Sequence, residues 1–452
     1  MPVRDIVLLV VIIGSLPVCF VRPWIGLLVW SWLAFMNPHL HTWAFAASSP
    51  FSQWVGLATL GGAVFSRDRQ PFVWSREVAV LVLLLGWFTV TTMYALYPAE
   101  AWPQWERVSK ILLMTFLVIP FFQDRRRLRI LLLVVAASIG FYGLKGGIWV
   151  LLTGGNYQVL GAPGASFIST NNALALALNM CLPILFYLAK EERRPWLRLA
   201  LYLTFLASII SVLFTYSRGG LVGLLIVLSV LFLHWRNIPH VAVAAILVAV
   251  LAFGFAPQKW LDRMDTIIHY QQEASANLRL LSWQVSFMLA NDHPITGGGF
   301  WGISNLATFA RYMPDYPAGS HDAHSIYFNL LGEHGYPGLA IFAVFVGLTL
   351  MTLETIRKRA LQEPELQWAA NYAFMLRASI VAYLTSGAFL SVAYFDLAYL
   401  LFIVVGLVKV LMEREIEARV AKKPASAGAS RTPAQPRRRP LVSLAPRLGR
   451  TS

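Results

Sequence analysis

The chain has 452 residues, of which 57% are hydrophobic and 13% are charged, and its apolar runs repeatedly approach the roughly 20 residues that span a bilayer. This composition excludes an ordinary soluble domain and indicates an all-α polytopic membrane protein. A formal net charge of +15 would favour nucleic-acid binding in a soluble protein, but the basic residues here stand in short blocks between apolar runs, where they set membrane orientation, so no nucleic-acid partner is expected.

The N-terminal region contains three short apolar runs, at residues 6–20, 24–36 and 52–65. The first run lacks a small-residue cleavage site, so we expect an uncleaved anchor and not a signal peptide. A cytoplasmic N-terminus requires an even number of crossings in this region. We therefore expect one of the three runs to lie at the interface or to cross only half of the membrane.

Basic blocks separate the apolar runs of the rest of the chain, and the positive-inside rule predicts that all of them are cytoplasmic. They lie at residues 67–76, 124–129, 190–198, 234–237 and 356–359 and in the C-terminal tail. Between them, the predicted crossings alternate in direction at residues 78–97, 106–122, 130–152, 171–189, 199–216, 219–233, 240–256, 339–355, 369–392 and 395–412. With the N-terminal runs, this gives about 12 transmembrane helices.

The crossings divide the chain into four regions. They are N-terminal transmembrane helices (1–256), a large periplasmic loop (257–338), C-terminal transmembrane helices (339–415) and a basic disordered cytoplasmic tail (416–452) that can touch anionic membrane lipids. Helix-like patterns at 278–290 and 324–334 argue that the loop is folded and contains short helices. Two shorter segments, 97–107 and 153–170, are predicted on the same side.

His324 stands at the start of the sequence HSIYFNLLGEH, which is compatible with a helix that carries this histidine at the outer end of an apolar stripe. The Gly-Tyr-Pro-Gly that begins at Gly335 should break the helix, so His324 belongs to a short helix that leads into the 339–355 crossing. An imidazole in this place can accept a proton near neutral pH, or it can be an ordinary hydrogen-bonded interface histidine. His321 and His334 fall on other faces and are expected to be structural.

Two arginines on the predicted outer side, Arg218 and Arg279, run against the positive-inside bias and therefore need an anionic ligand or a carboxylate partner. Arg218 lies in TYSRGG, where two glycines let a ligand or backbone approach closely, and Arg279 begins a helical pattern in the large loop. A guanidinium donates two parallel hydrogen bonds to a phosphate. Both residues are therefore candidate phosphate ligands.

Four further cations are weaker candidates. Arg263 and Arg311 lie in the large loop, and the alternative for each is an ion pair with a nearby carboxylate, the choices being Asp262, Asp265, Glu273 and Asp292. Lys110 and Lys145 lie within or at the edge of predicted crossings. Snorkelling explains either lysine alone, whereas the two together suggest a polar, phosphate-lined cavity.

No motif indicates a bound nucleotide or metal. TGGGFWG has no strand before it and no Lys-Ser or Lys-Thr after it, so it is better explained as a turn that lies close against a ligand or a helix. Asp262 and Asp265 lack a histidine companion, which favours helix capping or ion pairing. Cys19 and Cys181 both lie in apolar runs and indicate neither a disulfide framework nor a zinc site.

The combination of these motifs resembles the bacterial O-antigen ligases and the wider superfamily of ligases, O-antigen polymerases and protein O-oligosaccharyltransferases. It rests on SRGG at 217–220, on Arg279 and Trp283 followed by HPITGGGF, and on His324 with ten residues between it and Gly335. GLKGGIW and TGGNYQVLGAPGASF look like the exosortase-associated O-glycosylation ligase branch. Trp283 stands where ligases often have a leucine.

The resemblance implies a GT-C-like, metal-independent, inverting glycosyltransferase without a cofactor, which acts as a monomer in the inner membrane of a Gram-negative bacterium. Its donor would be an O-antigen linked to undecaprenyl diphosphate and its acceptor lipid A-core, on the periplasmic face. His324 would take the acceptor proton, and Arg218 and Arg279 would neutralise the departing diphosphate. The implied substrate-binding residues are Lys110, Lys145, Arg263, Arg311 and Gly335.

Other functions stay open at the sequence level. An O-antigen polymerase or a protein O-oligosaccharyltransferase would use the same chemistry with a different acceptor. A lipid-linked glycan transporter would use the arginines to bind diphosphate and His324 as a proton relay, although the sequence lacks the repeated broken helices typical of transporters. A membrane scaffold without catalytic activity is the remaining alternative.

Overall fold

The computed structural model describes residues 3–164, 166–232, 274–314 and 321–422, and the regular secondary structure in these segments is helical. The chain forms two units, Met1–Met412 and Glu413–Ser452, and the site described below lies in the first. In chain order the helices are α1 (Val3–Val21), α2 (Pro23–Met36), α3 (Phe51–Phe65), α4 (Arg76–Met93), α5 (Pro98–Phe121), α6 (Arg125–Thr153), α7 (Asn171–Glu191), α8 (Pro195–Leu213), α9 (Arg218–Phe232), α10 (Ala274–Asp292), α11 (Leu306–Tyr312), α12 (Ile326–Ala360), α13 (Gln367–Gly387) and α14 (Asp396–Lys422).

Six of the helices in the described segments are long and apolar enough to cross a membrane: α1, α4, α6, α7, α8 and α12. The prediction of a helical membrane protein is thus confirmed. The predicted count of twelve crossings and the periplasmic position of the large loop stay predictions, and the crossing expected at 240–256 lies outside the described residues.

Capping residues in the sequence determine where several helices begin. Ser75 starts α4 by accepting from the amide of Val78, and Asp124 starts α6 by accepting from the amide of Arg127. Proline is the first residue of α2, α5 and α8, a position where its missing amide hydrogen costs nothing. At its other end, α6 ends on Gly154 with a φ of 62°.

Helix α7 forms the centre of the core. Every residue from 173 to 189 is buried, because α7 packs against α6, α8, α9 and α13. Its sequence is apolar on all faces, as expected for a helix with no exposed side. The close approach of α9 and α13 depends on Gly223, where an added Cβ would lie 2.0 Å from the Ser386 hydroxyl oxygen.

Contacts between connections identify one common end of the helices. The carboxylate of Asp5 accepts from the amides of Ala44 and Ala46, at 3.2 and 3.0 Å, which places the start of α1 beside the connection from α2 to α3. The side chain of Asn37 donates to the Ser166 hydroxyl at 3.0 Å, which adds the 154–170 connection. All three N-terminal runs are thus helices that alternate in direction, while the cytoplasmic N-terminus and the interfacial run stay predictions.

Helix α12 consists of two helices joined at a kink. Gly335 has φ 67° and ψ −173°, outside the helical region, and the helix then continues through Pro337 to Ala360. The kink confirms that Gly-Tyr-Pro-Gly ends a short helix after His324 and leads into the longer helix. The short first part, residues 326–334, carries the residues that line the candidate site.

Candidate functional site

His324 lies in the segment that leads into α12, and its backbone is held in a strained conformation. Its φ is 47°, in the left-handed region that few non-glycine residues adopt, and its amide donates to the Ser391 hydroxyl at 2.7 Å. The side chain is half-buried. Strain of this kind persists only where neighbouring contacts enforce it, so the backbone from which the imidazole projects is held in place.

The surroundings of His324 favour its neutral form. Burial lowers the pKa of His324 below 6.5, the charge of Arg279 lowers it further, and Asp322 opposes these effects. A neutral imidazole has a nitrogen lone pair that can accept a proton. His324 is therefore able to act as a base at neutral pH.

Stacking between two aromatic rings positions Arg279 beside His324. The ring of Trp283, one turn after Arg279 on α10, stacks on the ring of Phe328, one turn after His324, with centroids 5.0 Å apart and planes 9° from parallel. Because the two helices run side by side at this contact, the preceding turns also meet. The electrostatic effect of Arg279 on His324 agrees with this placement.

Arg218 is the first residue of α9 and follows a tight turn in which Tyr216 has φ 56°. Gly219 packs against Phe389, where an added Cβ would lie 3.5 Å from the Phe389 Cβ. Phe389 is two residues from Ser391, which holds the backbone of His324. The structure thus places the turns that carry Arg218 and His324 against the same short segment, residues 389–391.

Arg311 forms an ion pair with a carboxylate, which was the alternative to phosphate binding for this residue. Its guanidinium lies 3.2 Å from the carboxylate of Asp292, and the Tyr312 hydroxyl donates to the same carboxylate at 2.8 Å. Burial, followed by the hydrogen bond to Asp292, raises the pKa of Tyr312 to about 12. Arg263 lies outside the described residues.

The two lysines lie in different surroundings. Lys110 is exposed and forms an ion pair with Glu106 one turn earlier, at 2.5 Å. Lys145 lines an apolar hollow of about 640 Å³ along the C-terminal part of α6, together with Gln158, whose amide donates to the carbonyl of Thr215 at 2.8 Å. Lys110 does not line this hollow, so the structure does not bring the two lysines together there.

Gly335 contacts protein backbone. An added Cβ would lie 2.4 Å from the carbonyl oxygen of Ile295, in the 292–302 loop. The same loop packs along α12, where the amide of Gly298 donates to the carbonyl of Gly332 at 2.8 Å. The TGGGFWG turn therefore lies against a helix, which is one of the two roles that its sequence predicted.

The sequence did not predict a buried hydrogen-bond network that forms around Glu333 and His334. Glu333 accepts from the amide of Trp301 at 2.9 Å and from the hydroxyl of Tyr394 at 2.5 Å. His334 has one ring nitrogen 2.7 Å from the Tyr394 hydroxyl and the other 2.7 Å from the Thr91 hydroxyl. The predicted structural role of His334 agrees with these contacts, whereas nothing in the sequence pairs residues 333 and 394.

Arg107 and Ser391 are further residues that the sequence reasoning did not identify. The guanidinium of Arg107, on α5, lies 4.1 Å from the centroid of the Phe167 ring in the 154–170 connection.

In the described part of the chain, no group of three His, Cys, Asp or Glu side chains could hold a metal ion.

Two family models match the chain. Residues 203–343 match the family described as O-antigen ligase, and residues 3–193 match a family of unknown function, DUF5935. No curated protein matches the chain. The first match contains Arg218, Arg279, His324 and Gly335, and it confirms the resemblance that these motifs predicted. The exosortase-associated branch stays a prediction.

Proposed function

From the membership of residues 203–343 in the O-antigen ligase family, we propose that this protein transfers a glycan from undecaprenyl diphosphate to lipid A-core, completing lipopolysaccharide on the outer face of a bacterial inner membrane. One observation carries the proposal. A half-buried imidazole, whose pKa is lowered by burial and by the charge of Arg279, lies beside that guanidinium at the ends of apolar helices. That combination suits a donor with an apolar tail and a diphosphate leaving group.

The proposed reaction is one displacement. His324 takes the proton from the acceptor hydroxyl as its oxygen attacks the anomeric carbon, and the bond between that carbon and the diphosphate oxygen breaks with its electron pair leaving on the diphosphate. Attack from the side opposite the leaving group inverts the anomeric configuration. Arg279 and Arg218 stabilise the negative charge that builds on the diphosphate.

The fixed positions of these residues support their roles. The contact of Ser391 with the amide of His324 holds the base in place, and the stacking of Trp283 on Phe328 holds α10, and with it Arg279, against α12. Groups that are in position before the substrate binds need no reorganisation during the reaction. Arg311, which is paired with Asp292, is a weaker candidate for contact with the diphosphate.

The acceptor is tested by offering purified full-length protein a lipid-linked glycan together with lipid A-core, a second copy of the lipid-linked glycan, or a pilin-like protein. We expect a glycan-bearing lipid A-core product and released undecaprenyl diphosphate. A longer lipid-linked glycan would instead identify a polymerase, and modified protein would identify an oligosaccharyltransferase. Movement of the donor between leaflets without any product would contradict the enzyme function and identify a transporter.

A further inference from the structure

A charged cavity lies at the other end of the helices from His324. It has a volume of about 540 Å³ and is formed where α1 turns into α2, where α3 ends and where α6 begins. The residues that matter for its chemistry are Arg22, Trp24, Phe65, Arg67, Asp68 and Arg127. Tyr142, which contacts the opposite end of α2, lies about 22 Å from Arg127 along α6 at 1.5 Å per residue.

The cavity has more positive than negative charge. Its three guanidinium groups face one carboxylate, that of Asp68, which lies 3.5 Å from Arg127. Arg127 also donates to the carbonyl of Phe121 and lies 5.2 Å from the centroid of the Trp24 ring. Within the described segments, Arg22 and Arg67 form no ion pair.

The arrangement assigns different roles to the three arginines. Arg127 is held by three protein groups and forms a fixed wall of the cavity. The exposed side chains of Arg22 and Arg67 carry the charge that protein groups do not neutralise. Two guanidinium groups around one cavity match the oxygen atoms of a phosphate, since each can donate a pair of parallel hydrogen bonds.

The rim of the cavity is apolar and exposed. Val21 and Phe65 have exposed fractions of 71% and 77%, and both line the cavity beside the arginines. A small soluble anion has no apolar surface to bury against such a rim. An amphiphile, in contrast, binds more tightly because its apolar chains are removed from water there. Basic pockets between transmembrane helices on the cytoplasmic side are a known way of binding anionic lipid headgroups.

We propose that this cavity binds the phosphate headgroup of an anionic phospholipid from the membrane leaflet opposite the catalytic site. Arg22 and Arg67 hold the phosphate, Arg127 forms the wall behind it, and the acyl chains extend along Val21 and Phe65. The basic blocks at 67–76 and 124–129 place this end in the leaflet predicted to be cytoplasmic. The lipid would anchor the turn between α1 and α2 to the start of α6, independently of glycan transfer.

The test uses native mass spectrometry of the full-length protein with phosphatidylglycerol or phosphatidylcholine added at equal concentrations. We expect a preference for phosphatidylglycerol that falls about tenfold in an Arg22→Gln/Arg67→Gln variant. The matched control, Arg69→Gln/Arg126→Gln, removes the same charge from exposed residues of the same basic blocks outside the cavity and should retain the preference. Thermal unfolding in phosphatidylcholine nanodiscs checks that both variants are folded.

Three results would overturn the proposal. Equal losses in the two variants would mean that general surface charge attracts the lipid, and no loss in either would mean that the cavity does not bind it. The third arm replaces the lipid with inorganic phosphate. If phosphate competes with phosphatidylglycerol at equal concentration, the cavity is a site for soluble anions and not for a lipid.

Discussion

Two histidines ten residues apart have opposite surroundings. His334 is fully buried, with both ring nitrogens close to hydroxyl groups, whereas His324 is half-buried beside Arg279. Helical periodicity already separates these residues in the sequence, because they fall on different faces. It cannot find Tyr394 or Ser391, since contacts across 60 or more residues depend on how helices pack and leave no local pattern.

Replacing each histidine with alanine should therefore have different consequences. His334→Ala leaves the buried hydroxyls of Tyr394 and Thr91 without that partner and opens a cavity, so we expect a loss of roughly 2–4 kcal/mol of stability. His324→Ala removes a half-buried side chain and keeps the Cβ at the strained position, so stability should change by less than about 1 kcal/mol. Thermal unfolding in detergent measures both. An equal loss in the two variants would contradict the distinction.

The lowered pKa of His324 predicts the pH dependence of glycan transfer. The base must be neutral, and a pKa below 6.5 keeps it neutral at pH 7 and above, so the rate should be constant there. The rate should fall only as the pH drops through the lowered pKa. Because the charge of Arg279 contributes to the lowering, Arg279→Gln should move this acidic limb to higher pH. Transfer rates between pH 5 and 8 measure the shift, and an unmoved limb would contradict it.

Ser391 provides a test of positioning. Its hydroxyl accepts from the amide of His324, so Ser391→Ala should loosen the strained backbone and reduce kcat by about tenfold, with KM nearly unchanged. Ser391→Thr keeps the hydroxyl and should recover most of the rate. The prediction is contradicted if Ser391→Ala retains the full kcat, or if the threonine variant is as slow as the alanine variant.

Hydropathy predicted that a helix exists in a given region better than it predicted the residues at which the helix begins and ends. The predicted crossing at 171–189 corresponds to Asn171–Glu191, whereas the one at 106–122 corresponds to Pro98–Phe121. The difference has a physical cause: hydropathy marks the apolar part of a helix, and α5 begins at Pro98 with a polar turn that hydropathy does not include. Likewise, the glycines of TGGGFWG predicted a close approach, but only packing showed that α12 is the partner.

Helix α12 contains a matched pair of glycines that tests its kink. Gly335 has φ 67°, and an added Cβ would lie 2.4 Å from the Ile295 carbonyl oxygen, so Gly335→Ala should destabilise the protein by about 1–3 kcal/mol. Gly347, in the same helix, has no atom within 4 Å of an added Cβ. Gly347→Ala should be neutral or stabilise by about 0.5 kcal/mol. Thermal unfolding compares them, and equal effects would contradict a structural role of the kink.

For the whole molecule, the alternation of basic blocks and apolar runs predicted the helical membrane architecture. It did not predict how the three N-terminal helices pack, because one short run cannot show whether a segment crosses or lies at the interface. The hydrogen bonds of Asp5 with the amides of Ala44 and Ala46 place the start of α1 beside the connection from α2 to α3. The convergence of Arg218 and Arg279 near His324 stays a hypothesis from motifs that lie in separate helices, and the electrostatic effect of Arg279 on His324 supports it for that residue.

Cysteine labelling tests this arrangement of the helix ends. Trp43→Cys and Tyr157→Cys introduce thiols at exposed positions of the common end, whereas Arg126→Cys lies at the opposite end. A membrane-impermeant maleimide applied to intact spheroplasts should label the first two variants, and the third only after permeabilisation. The natural cysteines, Cys19 and Cys181, are buried and should react little. Labelling of Trp43→Cys and Tyr157→Cys from different sides would contradict the structure.

The central claim is that a fixed imidazole and the neighbouring guanidinium groups transfer a glycan away from a lipid diphosphate. The most direct measurement is a single-turnover rate. Purified full-length protein is mixed with an undecaprenyl diphosphate-linked glycan and an acceptor, and the release of undecaprenyl diphosphate is followed. We predict a loss of about 10²–10⁴-fold in His324→Ala and about 10²–10³-fold in Arg279→Gln, while Arg311→Gln, whose arginine is paired with Asp292, stays within a few-fold of the natural protein. A folded His324→Ala protein that releases the diphosphate at the unchanged rate would contradict the claim.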